Sequence, residues 1–531
     1  MHSFHTDVLI IGSGLAGLYA AIHCRRQDLR VLVCSKSKPG RGSCSTISQG
    51  IFRASTANFT PQEHKHLSLQ AGKGLNQAHR LDTLIQSAAQ EMSFLQDLGL
   101  NLEAGAKEYD CRPQKLGQEG RCVTRPLTSQ AASLGVDFLS PFFACKIALQ
   151  EDRAIGLWGY RPHQSEPELV TCKSLILAAG GAGALYAHTD NPQGMTGDGY
   201  ALALTAGVPL LDMEFIQFYP LCLGQSRTSR LLPPLLGEVG RLENSQGEDI
   251  VSKYGISSRP VAISARDELC QAMAWEIQAG LGFADGGLRL SLPREDSVWD
   301  QTREVFGLQS ISNLRSWAEE LASERRGSIP VRPAAHFCMG GVACRGAVGT
   351  PVQGLFAAGE VTGGLHGANR LGGNALTEAA VFGRIAAEEA AHHAGRTQDP
   401  SWFEAQLPEP DQRFPAAQTR SCSGLKRKLQ ELMWQGAGIL RSAESLQQTF
   451  QGLQEIRADL DKTPTASPQG LQALELQSML PVAEAILRSA LAREESRGSH
   501  FRTDFPHSNQ ACAKHILLRQ AQGKLQLHWE A

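Results

Sequence analysis

The sequence predicts an α/β fold in which an open parallel sheet is interrupted by an insertion and followed by helices. Three observations predict it. An apolar strand, a glycine-rich turn, a helical pattern and a second apolar strand follow one another over residues 7–34. Two further apolar segments, at 175–183 and 354–360, also end in glycines, far away along the chain. Leu/Ala/Glu/Lys/Arg-rich stretches with helical spacing then fill 422–460 and 470–493.

The elements follow in order. Asp7 to Ile11 (DVLII) is a short apolar run of the kind required by a parallel strand buried on both faces. GSGLAG at 12–17 opens the helical pattern LYAAIHCRR, and Arg30 to Cys34 (RVLVC) supplies the second strand. A GxGxxG in this full strand–turn–helix–strand context, within about 30 residues, reads as a Rossmann-like nucleotide site. Gly12 permits the tight turn, Gly14 lets a pyrophosphate approach the backbone, and Gly17 lets the helix pack on the strand. The helix N-terminus presents free N–H groups and a positive dipole end to the phosphates. The acidic residue that usually closes the second strand is missing, and Ser35-Lys36 stands there instead. That argues against NAD and leaves an FAD-type site open.

LILAAGGAG at 175–183, followed by TDNPQGMTGDG at 189–199, and GLFAAGE at 354–360 are strand ends of the same kind. Such ends are where an open α/β sheet binds its ligand. Their separation implies one nucleotide domain carrying an insertion. Pro408, Pro410 and Pro415 mark a linker before the helical tail.

Composition removes other classes. Glycine is one residue in ten, but without a Gly-X-Y period, so the chain is neither collagen nor linker. Lys+Arg 51 against Asp+Glu 53, with no basic block, gives no support for nucleic acid or an anionic membrane as partner. No stretch reaches the roughly 18 apolar residues of a membrane span, and the first residues lack a signal-peptide pattern. A cytoplasmic location is expected; the alternative is peripheral membrane attachment through a partner subunit. The 13 cysteines are odd in number and include no CxxC, so neither a disulfide framework nor a metal site is expected.

Several segments carry a family resemblance. They are GSGLAG at 12–17, SKSKPGRGSCSTISQG at 35–50, AGG with TDNPQGMTGDG at 179–199, MEFIQFYP at 213–220 and ARD at 265–267. PAAHFCMGG at 333–341, GLFAAGE at 354–360, LHGANRLGGNAL at 365–376 and EESRGSHFRTDFP at 494–506 complete the set. In order and over almost the whole chain, this resembles the flavoprotein family of succinate dehydrogenase, fumarate reductase and L-aspartate oxidase. The resemblance implies a Rossmann-like FAD-binding domain over 1–210 and 330–405. It implies an α+β capping domain over 211–329 and a helical C-terminal domain over 406–531.

The resemblance also implies site residues. Gly12, Gly14, Gly17 and Ser35 match positions at the FAD adenosine and pyrophosphate. Ser45, Thr46, Gln49 and Gly50 match the flavin-contacting loop, and Asp198, Glu360, Asn374 and Leu376 match further FAD contacts. Where the succinate and quinol-linked fumarate enzymes bond a His covalently to the flavin, this chain has Cys44, so non-covalent FAD is expected, with a thioether to Cys44 as the minor alternative.

The implied chemistry is hydride exchange between flavin N5 and a substrate carbon, with a proton moved at the neighbouring carbon. Arg370 and His336 match the clamp for one carboxylate, and Arg suits that role through its bidentate fork. Arg266 matches the proton donor or acceptor, fed by a relay whose E-x-x-R spacing is that of Glu238 and Arg241. The second clamp is rewritten. Tyr219 and Gly237 stand where the dicarboxylate enzymes place a His and a Thr. A carboxylic acid whose far end differs from succinate or fumarate is therefore expected, and urocanate- and acrylate-type reductases are similar proteins with such altered ends.

L-aspartate oxidase is the alternative, although segment 105–125 lacks the acidic, His- and Arg-rich stretch which that enzyme uses. A non-catalytic flavin-binding subunit is the second alternative. With no haem or iron–sulfur spacing in the chain, electrons pass to oxygen or a soluble carrier, or to a separate iron–sulfur subunit; the residues leave both open.

Overall fold

A computed structural model describes residues 3–111, 118–162, 164, 166–224, 229–306, 311–323, 327–397, 419–461 and 471–530. The linker prolines, and 112–117 within segment 105–125, lie outside the described residues.

The central sheet grows from β1 (Ser3–Ile11), which leads through the glycine turn into α1 (Leu15–Arg25) and returns as β2 (Val31–Cys34). Val8 and Ile10 of β1 face α1 and its neighbours, while Leu9 and Ile11 face the opposite layer, and all four are buried. That two-sided burial is why the run is continuously apolar. β3 (Asp137–Leu139) pairs with β2, and β4 (Phe143–Gln150), β5 (Arg153–Tyr160) and β6 (Glu168–Leu177) form a meander. β6 serves two partnerships. Along one edge it runs parallel to β1 from Leu169 to Leu177 (Leu9 opposite Leu175), and along the other its first half runs antiparallel to β5.

The insertion forms a second, five-stranded sheet. Its strands are β7 (Ile216–Leu223), β8 (Arg230–Leu231), β9 (Arg241–Glu243), β10 (Leu288–Ser291) and β11 (Ser328–Cys338), in the order β8-β7-β11-β10-β9. α2 (Arg266–Gln278) packs on it over a core that includes Leu221, Met273 and Trp299. β11 runs unbroken across residues 329 and 330, so the capping sheet reaches as far as Cys338.

The chain then rejoins the first sheet as β12 (Leu355–Ala357), parallel to β6, and crosses it as α3 (Asn374–Arg396), which lies against α1. The tail contains α4 (Thr419–Ala437), α5 (Ala443–Asp461) and α6 (Leu471–Ala492). It ends in a hairpin, β13 (His515–Ala521) and β14 (Lys524–Glu530), that adds to Leu210–Leu211. The tail helices share one continuous apolar core with the central sheet. Among the described residues, no helix is long and apolar enough to cross a membrane.

Candidate functional site

The C-terminal ends of β1, β2, β6 and β12 open into one cleft of about 1480 Å³, walled on the far side by the capping sheet and its helices. It exceeds the roughly 300–1,000 Å³ of ordinary small-molecule pockets. Its floor is a phosphate cradle. Gly12 has φ of 110°, and a Cβ there would lie 2.2 Å from the Ala178 carbonyl oxygen. A Cβ on Gly17 would lie 2.0 Å from the Gly12 carbonyl oxygen, so glycine alone lets α1 close onto the turn. Gly14 is the N-cap of α1 and lines the cleft. These residues fit a dinucleotide cofactor.

Gly12, Gly14, Ser35, Ser45, Gln49, Asp198, Glu360 and Leu376 all line the cleft. Glu360 accepts from the Cys338 amide at 3.1 Å, and burial pushes its pKa up to about 7. Gly17, Thr46, Gly50 and Asn374 are not on the wall but behind it. Thr46 donates to the Gly40 carbonyl at 2.9 Å, and Asn374 donates to Ser68 Oγ at 3.1 Å and bonds the His64 ring at 2.8 Å. They brace the loops that form the wall.

The other end of the cleft is built around Arg370. Its Nη2 donates to Gln217 Oε1 at 2.8 Å and to His336 Nε2 at 3.0 Å, and its guanidinium lies 4.4 Å from the Phe337 ring centroid. His336 Nδ1 donates to Asp190 Oδ2 at 2.6 Å. This pattern assigns the neutral tautomer with its proton on Nδ1. Burial lowers the His336 pKa in the same sense, against the pull of Asp190. Burial, reinforced by the nearby charge of Arg266, lowers the Arg370 pKa to about 9. Arg266 begins α2, is 6% exposed and lines the same cleft. The Nε atoms of Arg266 and Arg370 are buried with no hydrogen-bond partner among the described residues. Two largely buried guanidinium groups on one cleft wall give that end a positive charge suited to an anion.

The rest of that end is committed elsewhere. The Tyr219 hydroxyl donates to the Leu232 carbonyl at 2.9 Å, so the side chain presents its ring, 5.6 Å from that of His336. Ser264 donates to the Arg259 carbonyl at 2.9 Å. Gly237 is off the wall, and a Cβ there would meet Val261 Cγ1 at 3.0 Å. Leu231, Pro234, Pro260 and Ile263 complete an apolar surface.

The two relay residues part company. Arg241 is not brought to the cleft. It sits on β9 with its side chain 57% exposed, paired with Glu243 at 3.3 Å and donating to the Gly247 carbonyl at 3.0 Å. Glu238 is nearly buried behind the wall, where it accepts from the Val261 amide and pairs with Arg259 Nε at 3.6 Å. Arg259, not Arg241, is the arginine that pairs with Glu238 and lines the cleft.

Residues 7–376 match the family described as FAD binding domain, and residues 426–531 match that described as fumarate reductase flavoprotein C-term. The chain belongs to the succinate dehydrogenase/fumarate reductase flavoprotein family. It is 31% identical to a chain of the fumarate reductase (CoM/CoB) of Methanothermobacter marburgensis, over 97% of each sequence. It is also 31% identical to L-aspartate oxidase of Nostoc sp., over 97% of this chain and 93% of that one. Its structure superposes on E. coli quinol fumarate reductase FrdA with a TM-score of 0.86 at 27% identity, covering 100% of this chain and 97% of the other. Mycobacterium smegmatis Sdh1 gives a TM-score of 0.82 at 26% identity, covering 100% and 95%. The protein is an FAD-dependent oxidoreductase with an α/β flavoprotein fold.

In this flavoprotein Cys44 lies on the cleft wall, half-buried, and its thiol donates to Asn191 Oδ1 at 3.3 Å. Burial and the Glu360 carboxylate hold its pKa well above the usual thiol range. Several cleft residues carry no sequence signal of their role. Asp190 lies inside a motif of the family, yet its pairing with His336 spans 146 positions and has no local marker. Arg259 lies outside every motif of the resemblance, and Glu475 and Lys426 lie in the helical tail.

Proposed function

We propose that this flavoprotein exchanges hydride between FAD and a carboxylic acid whose far end is not a second carboxylate. FAD, when bound, supplies the hydride donor and acceptor. Arg370, aligned by Gln217, His336 and Phe337, grips the substrate carboxylate through its fork. His336 acts here chiefly by orienting Arg370. Arg266 moves the proton at the carbon next to the one that exchanges hydride. Glu238 holds the turn at 259–261 that leads into Arg266, through its bonds to Val261 and Arg259. Tyr219 contributes a ring face and excludes water from the far end.

The observation that carries this reading is the pair of unpartnered guanidinium Nε atoms, on Arg266 and Arg370, buried in the cleft that also holds the flavin cradle. In that same end of the cleft a dicarboxylate would set its second carboxylate among Leu231, Pro234, Pro260 and Ile263, whose side chains offer no donor, a cost of roughly 1–3 kcal/mol or more per missing hydrogen bond. L-aspartate oxidase remains the second reading, favoured by the 31% identity of the Nostoc relative and opposed by that same apolar wall. FAD is held without a covalent bond, because the Cys44 thiol is kept protonated and hydrogen-bonded to Asn191. Electrons pass to a separate iron–sulfur subunit, a soluble carrier or oxygen. A cytoplasmic location accords with this.

The test is the pair Arg266→Ala and Arg370→Ala. Each retains FAD and loses turnover by about 100-fold or more. Retention of full turnover by either variant contradicts the mechanism.

A further inference from the structure

We propose that the C-terminal helical domain completes the FAD site, with Glu475 of α6 supplying the acidic group that the end of β2 lacks. In a Rossmann-type site, an acidic side chain about 20 residues beyond the glycine turn accepts from the ribose hydroxyls. Here β2 ends at Cys34 and is followed by Ser35-Lys36. Ser35, whose hydroxyl proton goes to the Ser37 carbonyl at 2.7 Å, leaves only a neutral acceptor there and supplies no acid. Lys36 instead recruits acid from two other parts of the chain. Its Nζ lies 2.6 Å from Asp198 Oδ2, 2.8 Å from Thr196 Oγ1 and 3.1 Å from Glu475 Oε1. The other oxygen of Glu475 accepts from Lys426 Nζ of α4 at 2.7 Å.

Lys36, Asp198, Lys426 and Glu475 all line the cleft at its β2 end. Two cations fix the Glu475 carboxylate, and each oxygen keeps a lone pair for a further donor. Burial acts to neutralise Glu475, but Lys36 and Lys426 outweigh it and keep the group ionised. A fixed, buried carboxylate beside a nucleotide cradle is suited to accept from a vicinal diol, the group that FAD presents on its ribose. α4 and α6 pack on each other, and α6 packs on the helix Asp198–Thr205, where Val482 of α6 would stand 3.2 Å from a Cβ on the N-cap Gly197. Cofactor binding and docking of the tail helices are therefore one linked equilibrium.

The Glu475 contact depends on FAD binding and not on which acid is the substrate, so its test reads cofactor affinity and not turnover. The full chain is stripped of flavin and retitrated with FAD by fluorescence quenching, as wild type, Glu475→Gln and Glu475→Asp. Glu475→Gln is expected to raise the FAD dissociation constant by about tenfold to a hundredfold, with Glu475→Asp in between. A Kd within twofold of wild type in Glu475→Gln overturns the proposal. Hydrogen exchange on the wild-type chain gives an independent reading that no folding defect can obscure. FAD is expected to slow exchange across 471–492, and unchanged exchange there on FAD binding also overturns it.

Discussion

At Arg370 a buried guanidinium is held by Gln217, His336 and Phe337, and its pKa is lowered to about 9 by burial and by Arg266. The sign of the resulting pH dependence follows directly. The cation persists below pH 9 and is lost above it, while a substrate carboxylate stays ionised throughout. KM for the acid is therefore flat from pH 6 to 8 and rises above about pH 9, by up to tenfold per unit, in initial-rate measurements. Arg241 provides the contrast. Its exposed side chain pairs with Glu243 away from the cleft, so Arg241→Ala leaves kcat/KM within about twofold of wild type. The E-x-x-R spacing suggested otherwise, because it does not show that the chain turns between the two residues. Glu238 lies in the short helix Leu236–Val239, and Arg241 opens the next strand on its exposed side. Arg266 and Arg370 were legible from the motifs that contain them. The commitment of the Tyr219 hydroxyl to Leu232 was not, since that bond depends on how the loop folds back.

Among the elements, β1, the glycine turn, α1 and β2 were legible because each is a local solution to burial and turn geometry. The turn also gives the sharpest element-scale prediction. Gly17→Ala puts a Cβ 2.0 Å from the Gly12 carbonyl oxygen, and neither backbone has room to yield. The variant is expected to lose about 3 kcal/mol or more of stability and to bind FAD weakly, read by thermal unfolding of the apo-protein with and without added FAD. Other elements were read incompletely. β11 runs past the expected edge of the capping domain because it pairs with β7 as far as Cys338, a long-range match with no local marker. The terminal hairpin did carry a signal. KLQLHWE alternates, HILLRQA carries the apolar run Ile516–Leu518, and Gln522-Gly523, both at positive φ, join them in a two-residue turn. The helical reading of the tail passed over that short pattern.

For the whole molecule, the insertion and the tail close with the central sheet around one cleft and are locked together by buried charge. Arg493, just after α6, is fully buried against Glu214, Glu495 at 3.2 Å and Asp212 at 3.6 Å, and Asp212 also accepts from His515 at 2.6 Å. Ser499, in the loop after α6, bonds the Ala368 carbonyl through both its amide (3.0 Å) and its hydroxyl (3.2 Å), two residues before Arg370. The tail thus supports both ends of the cleft, and no composition or periodicity announces such an arrangement. A carboxylate clamp joined to an apolar far wall selects the substrate, and an anaerobic absorbance titration of the holo-protein against a panel of carboxylic acids reads that selection. The panel holds succinate, fumarate and aspartate together with saturated and unsaturated monocarboxylic acids bearing apolar or aromatic far ends. Members of the second group are expected to bleach the oxidised flavin or reoxidise the reduced one at lower concentration than any dicarboxylate. Redox turnover of the flavin by fumarate, succinate or aspartate alone, with every monocarboxylic acid inert, would contradict it.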